Sequence, residues 1–487
     1  MTAPETAART NPASSTASST APPPDPPGDL PGTVGELRAR GYRSRSVKEE
    51  LRANLVARLR EGGSAFPGMV GFEESVLPQL EAALLAGHDL VLLGERGQGK
   101  TRLMRSLAAL LDTWVPVVAG CEIHDDPLAP ACVRCRRLVA ERQDALPVAW
   151  LHRDERYVEK LATPDTSVGD LVGDVDPVTV AQGRTLGDPE TIHYGLLPRT
   201  NRGIFGINEL PDLAERIQVA MFNVLEERDI QVRGYSLRLP LDLLLVATAN
   251  PEDYTNRGRI ITPLKDRFGA EIRTHYPELV ADEVALVGQE SRLVADVPEH
   301  LLEVVARLTR ALRESASVDQ RSGISARFAI AAAEAVSGAA LRRGARTGED
   351  AAVARICDLP DVIPTLLGKV EFEMGEEGHE TGVLEHLLRV ATAETFRDRL
   401  AGLDLSGFTD LFAEGATVET GPLVTAAELL GQVGTVPGLS KVLDRLGHGD
   451  DASPGEVAAA VELVLEGLHL TRRIDKAAVD GRAVYGG

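Results

Sequence analysis

Gly94-Glu95-Arg96-Gly97-Gln98-Gly99-Lys100-Thr101 fits the pattern G-x-x-x-x-G-K-[ST] at each fixed position. The apolar run Leu90-Val91-Leu92-Leu93 ahead of it reads as a buried parallel strand, and Arg102 to Leu111 reads as the helix that follows. In that setting the octapeptide is a phosphate-binding loop; the competing reading, an ordinary glycine-rich turn, is disfavoured by strand, loop and helix standing in order. The glycines let the backbone turn through positive φ and bring its N–H groups against phosphate oxygens, where a Cβ would obstruct. Lys100 is expected to reach the β- and γ-phosphates of ATP and Thr101 to place its hydroxyl on Mg²⁺. The helix N-terminus adds a favourable field for the anion.

A length of 487 residues exceeds what one hydrophobic core supports, so two or three domains are expected. The formal charge of −21 argues against general affinity for nucleic acid or anionic membrane, both of which attract positive potential. No run of about 18 uncharged apolar residues is present, so no membrane insertion is expected. The N-terminus lacks an apolar stretch after a basic start, and the four cysteines are too few for a disulfide framework. These features point to a soluble, cytoplasmic protein.

Residues 1–33 are rich in Ala, Pro, Ser and Thr and contain Pro23-Pro24-Asp25-Pro26-Pro27. Such a segment cannot bury enough surface to offset its ordering entropy, and a disordered tail is expected. Residues 34–285 hold the nucleotide-binding core, beginning with amphipathic helices marked by Val34, Leu37, Val47, Leu51, Leu55 and Leu59. Val70-Gly71-Phe72-Glu73-Glu74 reads either as the wall of an adenine pocket or as the entry to a helix over 75–86. Beyond about residue 285 the strands are expected to stop. Helical periodicity over 299–315 and 326–343 reads as a helical lid over 286–400, and 401–487 as a helical C-terminal unit without recognisable chemistry. Cys357 reads as a buried apolar residue.

Within the core lies a cysteine-rich insert over about 119–152. Cys132-Val133-Arg134-Cys135 has the spacing that points two thiolates at one metal from a tight turn. Cys121 and His124 complete a tetrahedral Cys₃His set for structural Zn²⁺, with His152 as a rival fourth ligand. The alternative is a set of free cysteines in a loop. The flanking loop-like residues disfavour a redox pair.

Residues 165–200 read as loops around short extended pieces. The stretch Arg202-Gly203-Ile204-Phe205-Gly206-Ile207-Asn208-Glu209 then gives an apolar strand with two polar residues at its carboxyl end, where an open α/β sheet binds its ligand. Glu209 is the candidate that polarises the attacking water. Asn208 occupies the place of a metal-supporting Asp; it brings no charge, so magnesium is expected to be held less tightly. Ile217 to Arg228 is an amphipathic helix, and the run from Ile230 to Leu239 alternates around Gly234 like a β-hairpin. Leu243 to Ala247 is a buried strand ending at Thr248-Ala249-Asn250-Pro251, where Asn250 can hydrogen-bond the water or the γ-phosphate. Arg267 in Leu264-Lys265-Asp266-Arg267-Phe268-Gly269 is a candidate arginine finger. Arg327, which follows the capping residue Ser325, is a candidate for facing the γ-phosphate from the lid.

The order of these elements resembles the AAA+ ATPases, most closely the ATPase I subunit of magnesium chelatase and its MoxR-like relatives. The likeness covers roughly residues 60–345. It rests on the loop ending Gly99-Lys100-Thr101, on Gly195-Leu196-Leu197 followed by Asn201-Arg202-Gly203-Ile204, and on the hairpin after Leu225-Glu226-Glu227-Arg228. Thr248-Ala249-Asn250-Pro251-Glu252, Asp266-Arg267-Phe268-Gly269 and Gly323-Ile324-Ser325-Ala326-Arg327 complete it. The resemblance implies an α/β P-loop AAA+ core, a parallel sheet flanked by helices, followed by a helical lid and a helical C-terminal unit. It implies sensor 1, arginine finger and sensor 2 roles for Asn250, Arg267 and Arg327. It further implies a homo-oligomeric ring, typically a hexamer, with each site at a subunit junction, and a partner with a von Willebrand factor A-type domain. The hairpin and the insert over 165–195 resemble the family's partner-facing loops. Asn208 where Asp is usual, and the cysteine insert, depart from the pattern.

Three functions compete: a ring motor that remodels a partner protein or assists metal insertion, a nucleotide-gated scaffold with little hydrolysis because of Asn208, and a sigma-factor-interacting transcription activator. The last would carry a Gly-Ala-Phe-Thr-Gly-Ala loop where this chain reads Asp170-Leu171-Val172-Gly173-Asp174-Val175.

Overall fold

The computed structural model describes residues 24–175, 192–226, 229–232, 235–251, 260–319, 323–413, 415–449, 451–479 and 481–487. Most of the expected disordered tail, residues 176–191 of the insert expected to face a partner, Glu227-Arg228, the hairpin tip Arg233-Gly234 and Glu252 lie outside the described residues. The chain divides into two compact units, one ending at His275 and one running from Tyr276 to Gly487.

The first unit is built on five parallel strands, β1 (Leu90–Leu93), β4 (Tyr157–Leu161), β7 (Gly203–Asn208), β10 (Leu243–Ala249) and β11 (Ala270–Arg273), in the order β11-β1-β10-β7-β4. Parallel strands are covered on both faces, which is why these segments read as unbroken apolar runs. Alternate residues serve opposite layers. Leu90, Leu92, Ile204, Leu244 and Val246 pack with Leu103, Met104 and the helices Val47–Glu61 and Val76–Ala86. Val91, Leu93, Phe205, Ile207, Leu245 and Ala247 pack with Ile217 and Met221 of the helix Glu215–Glu226. A buried pair locks the first layer: Arg156 donates to both Glu50 oxygens, at 2.7 and 2.6 Å, and to Arg202 O at 2.8 Å. No helix of the described residues is long and apolar enough to cross a membrane.

Three two-stranded sheets sit beside this core. β2 (Trp114–Val118) and β3 (Val148–His152) pair antiparallel and carry the cysteine-rich segment between them; β5 (Gly173–Val175) pairs with β6 (Ile192–Tyr194), and β8 (Asp229–Val232) with β9 (Tyr235–Arg238). The segment expected to be wholly disordered up to residue 33 has its last residues in place. Gly32 O accepts from Val148 N at 2.9 Å and Pro31 O from the Trp150 indole at 2.9 Å, because the edge of β3 offers donors that a passing backbone can satisfy.

The second unit is mainly helical, with Glu299–Glu314, Ala326–Thr347, Glu380–Arg399 and Pro454–Leu470 as its long helices. One apolar core runs through it from Val287 to Tyr485, so the sequence division near residue 400 is not a break between cores. The expectation that strands stop after residue 285 needs correcting. β12 (Val418–Thr420), β13 (Asp475–Val479) and β14 (Arg482–Gly486) form an antiparallel sheet in the order β12-β14-β13. β13 is exposed at each of its residues, so it carries no apolar alternation by which a strand is recognised.

Candidate nucleotide site

The phosphate loop leaves the carboxyl end of β1 and enters the helix Lys100–Ser106 through Gly97 and Gly99, at φ 79° and 73°. Both lie in the left-handed region that glycine alone adopts without cost. At Gly94 the constraint is space: a Cβ would run into Thr274 Oγ1 and Gln98 Oε1. Gln98 is buried and braces the loop from inside, accepting from Glu95 N and from Thr274 Oγ1, both at 3.0 Å. Glu95, Arg96 and Gly97 form the exposed rim. Phe72 is buried in the core with its ring against Gly99, and edge-on to His275.

Lys100 donates to Gly94 O, to Glu95 O at 2.6 Å and to Asn250 Oδ1 at 2.8 Å. The loop lysine and the polar end of β10 are therefore in direct contact. Thr101 Oγ1 donates to Asn208 Oδ1 at 3.1 Å. Thr248, one pleat before Asn250, accepts from Glu209 N at 3.0 Å and donates to Asn208 Oδ1 at 3.2 Å. Glu209 itself stands at φ 56°, a left-handed conformation that costs a non-glycine residue roughly 1 kcal/mol or more. Strain of this kind persists where the surroundings over-determine it, here through Thr248.

The structure thus brings Lys100, Thr101, Asn208, Glu209 and Asn250 to one end of the sheet. Arg267 ends the helix Thr262–Arg267 and pairs with Glu226. Arg327 belongs to the second unit, exposed near the start of the helix Ala326–Thr347.

Sequence reasoning missed Glu159. It lies on β4, beside β7 in the register Leu161↔Asn208, and accepts from Asn208 Nδ2 at 2.6 Å. Arg105, on the helix that follows the phosphate loop, holds it with two bonds at 2.7 and 2.9 Å, and Tyr157 OH adds a third at 3.0 Å. Burial raises the Glu159 carboxyl, but the bonds from Arg105, Tyr157 and Asn208 outweigh it and hold it below its ordinary range. A carboxylate is therefore present one hydrogen bond behind Asn208, polarising the amide whose oxygen faces Thr101. The only signal in the sequence is a charged residue inside a short strand.

The cysteine segment forms a second cluster. Sγ of Cys121, Cys132 and Cys135 and a carboxylate oxygen of Asp125 all lie within 4.8 Å of one another, and all four residues are buried. The expected ligand His124 is not among them, and neither is His152. His124 takes φ 53°, a turn that directs its neighbour Asp125 into the cluster instead. His152 ends β3 with its ring edge-on to Trp114. Hydrogen bonds from Cys132 and Cys135 hold the Cys121 thiol well below its ordinary range, and the hydrogen bonds with Cys121 in turn push the other two thiols up.

A parallel sheet with a phosphate loop leaving β1 and the polar ends of β10 and β7 beside it defines a P-loop ATPase of the AAA+ class. No family model matches the chain. The chain is 32% identical over 342 residues to the magnesium-chelatase 38 kDa subunit of Acidiphilium rubrum, covering 68% of this chain and 83% of that protein. It is 28% identical over 240 residues to the corresponding subunit of Cereibacter sphaeroides, covering 47% and 64%. Among solved structures, a model of the complex between subunits BchI and BchD of magnesium chelatase matches at 23% identity with a TM-score of 0.35, covering 64% of this chain and 98% of that one. The chain belongs to the family of magnesium-chelatase I subunits, which are AAA+ ATPases.

Proposed function

We propose that this protein is a magnesium-dependent ATPase that works as a homo-oligomeric ring, its turnover driving rearrangement of a partner protein or a metal-insertion complex. The observation that supports this most directly is the convergence of Lys100, Thr101, Asn208, Glu209 and Asn250 at the carboxyl ends of β1, β7 and β10. The Thr101 hydroxyl and the Asn208 amide oxygen are hard oxygen donors that suit Mg²⁺. These two groups would hold Mg²⁺, which would supply positive charge to offset that of the phosphates. Lys100 binds the β- and γ-phosphates, the loop amides from Glu95 to Thr101 cradle them, Glu209 orients and deprotonates the attacking water, and Asn250 fixes that water against the γ-phosphate. Arg267 completes a neighbouring subunit's site, for which it exchanges Glu226 for phosphate; this requires a ring, typically a hexamer. Arg327 keeps the sensor 2 role that the family resemblance implies.

The relatives' names connect them with magnesium chelatase, and a partner carrying a von Willebrand factor A-type domain in the cytoplasm fits that connection. The cysteine-rich arm belongs to this motor as a metal-held brace and not as a second catalytic centre. A second reading, a nucleotide-gated scaffold with slow turnover, is favoured by one observation: the residue facing Thr101 is a neutral amide.

The test is ATP hydrolysis across a magnesium titration, with assembly state recorded in the same samples. Wild type is expected to hydrolyse ATP as a ring, and Glu209→Gln to bind ATP and assemble without turnover. Binding and assembly without turnover in wild type, even with candidate partners added, would establish the scaffold; absence of ATP binding would overturn both readings.

A further inference from the structure

The three clustered cysteines fold into something more specific than a thiol-rich loop. Cys121 Sγ accepts from Asp125 N at 3.5 Å, and Cys132 Sγ accepts from Cys135 N at 3.2 Å, so two separate turns each wrap a sulfur with a backbone donor. Such bonds stabilise thiolate over thiol. Asp125 joins the turns: its two carboxylate oxygens accept from Ala131 N at 3.1 Å and Cys132 N at 2.9 Å. These bonds fix the direction of the carboxylate, as outer contacts do for metal ligands, and leave lone pairs on both oxygens.

We propose that Cys121, Asp125, Cys132 and Cys135 bind a single tetrahedral Zn²⁺ ion, and that this ion clamps the arm between β2 and β3 onto the residues that lead into β7. The separation decides between one ion and several. A Zn–S bond of about 2.3 Å gives a tetrahedron edge of about 3.8 Å, which the observed limit of 4.8 Å allows with small side-chain rotations. An iron–sulfur cluster, with several metals and bridging sulfides between its ligands, holds them further apart. Three sulfurs select zinc over magnesium or calcium, and four protein ligands leave no open position for catalysis. A dithiol redox pair is disfavoured because three sulfurs converge, and Cys135 is fully buried from any attacking thiol.

The clamp meets the start of β7 through two residues. Asn201 Nδ2 donates to Ile123 O at 3.0 Å, inside the first turn of the cluster, while its Oδ1 accepts from Asp242 N at 2.9 Å, just ahead of β10. Arg202 pairs with Asp126 at 3.4 Å and donates to Pro116 O at 2.6 Å. The next residue, Gly203, starts the strand that ends in Asn208. This inference stands apart from the ATPase reading, since the ligands are assigned whether or not the chain hydrolyses ATP.

Metal analysis of the full-length protein, purified without chelator from zinc-supplemented cells, tests it. About one zinc per chain is expected in wild type and in His124→Ala and His152→Ala, and less than about a tenth of that in Cys121→Ser and Cys135→Ser. Asp125→Ala is expected to weaken zinc affinity, measured by chelator competition, by about a hundredfold. Cobalt substitution should give tetrahedral d–d bands with intense thiolate charge transfer, the d–d bands alone shifting in Asp125→Ala. Wild type without stoichiometric metal overturns the proposal. Loss of zinc in His124→Ala with retention in Asp125→Ala overturns the ligand set. Where a cysteine variant does not fold, the wild-type cobalt spectrum and the histidine variants still decide.

Discussion

Two places in the first unit gather polar side chains around a point where a cation fits, one through a neutral amide and the other through sulfurs and a carboxylate. At the sheet ends, the group facing Thr101 is the neutral Asn208, and the carboxylate bonded to it, Glu159, stands behind it and is shared with Arg105. In the cysteine cluster, three sulfurs and Asp125 face one another directly. On the proposed assignments, the first arrangement suits an ion that exchanges with each nucleotide and the second suits one kept for the life of the fold. The contrast teaches that the strength of an ion site depends on where the anionic group stands, in the contact layer or behind it, as much as on whether one is present.

The comparison breaks most sharply if the two sites fail independently of their assigned chemistry. Glu209→Gln should lower kcat by about 10³-fold while leaving ATP affinity near wild type, as expected for loss of a general base. Next in size, Cys135→Ser or chelation should lower the thermal midpoint of the first unit by about 10 °C, the effect of losing a few kcal/mol of metal-linked folding energy. The magnesium dependence of nucleotide affinity should be the same in whatever folded protein remains; a shift would show that the sites are one system.

A charge swap sharpens the contrast at the nucleotide end. Asn208→Asp with Glu159→Gln moves the carboxylate into the contact layer and the amide behind it, and should lower the magnesium concentration needed for tight nucleotide binding on the order of tenfold, or about 1.4 kcal/mol. Asn208→Asp alone should gain less, because the new carboxylate meets Glu159 where the amide now donates at 2.6 Å. Equal effects of the single and double variants would remove Glu159 from the site. The smallest effect is expected for Thr248→Val, which deletes the bonds to Glu209 N and Asn208 Oδ1. About 1 kcal/mol of stability should go, measured by denaturant unfolding, with a few-fold fall in kcat from a less firmly held Glu209.

What the sequence disclosed follows the same division. The phosphate loop was legible because its parts are contiguous, and β7 and β10 because fully buried parallel strands are continuous apolar runs. Glu159 was not, because it reaches Asn208 only through the pairing of β4 with β7, a contact between residues far apart in the chain. In the cysteine segment the spacing of Cys132 and Cys135 carried the metal reading, while Asp125, which joins the three sulfurs where His124 or His152 was expected, follows a turn at His124 that spacing does not encode. The terminal sheet was hidden for a third reason: β13 buries nothing, so no pattern of burial marks it.

The register of β4 against β7 also bears on how this chain tolerates changes of length. Successive side chains on β4 alternate between layers, with Tyr157 and Glu159 on the face that meets Arg105. A single-residue insertion in the short turn Arg153–Arg156 would reverse that alternation, turning Glu159 away and dislodging Arg156 from Glu50. The stretch between β2 and β3 is framed by its own antiparallel ladder, so length can vary there, outside the four clustered residues, without passing a shift on to the main sheet. Variation among relatives should therefore collect in the arm and stop abruptly at residue 153, a boundary set by the parity of a strand.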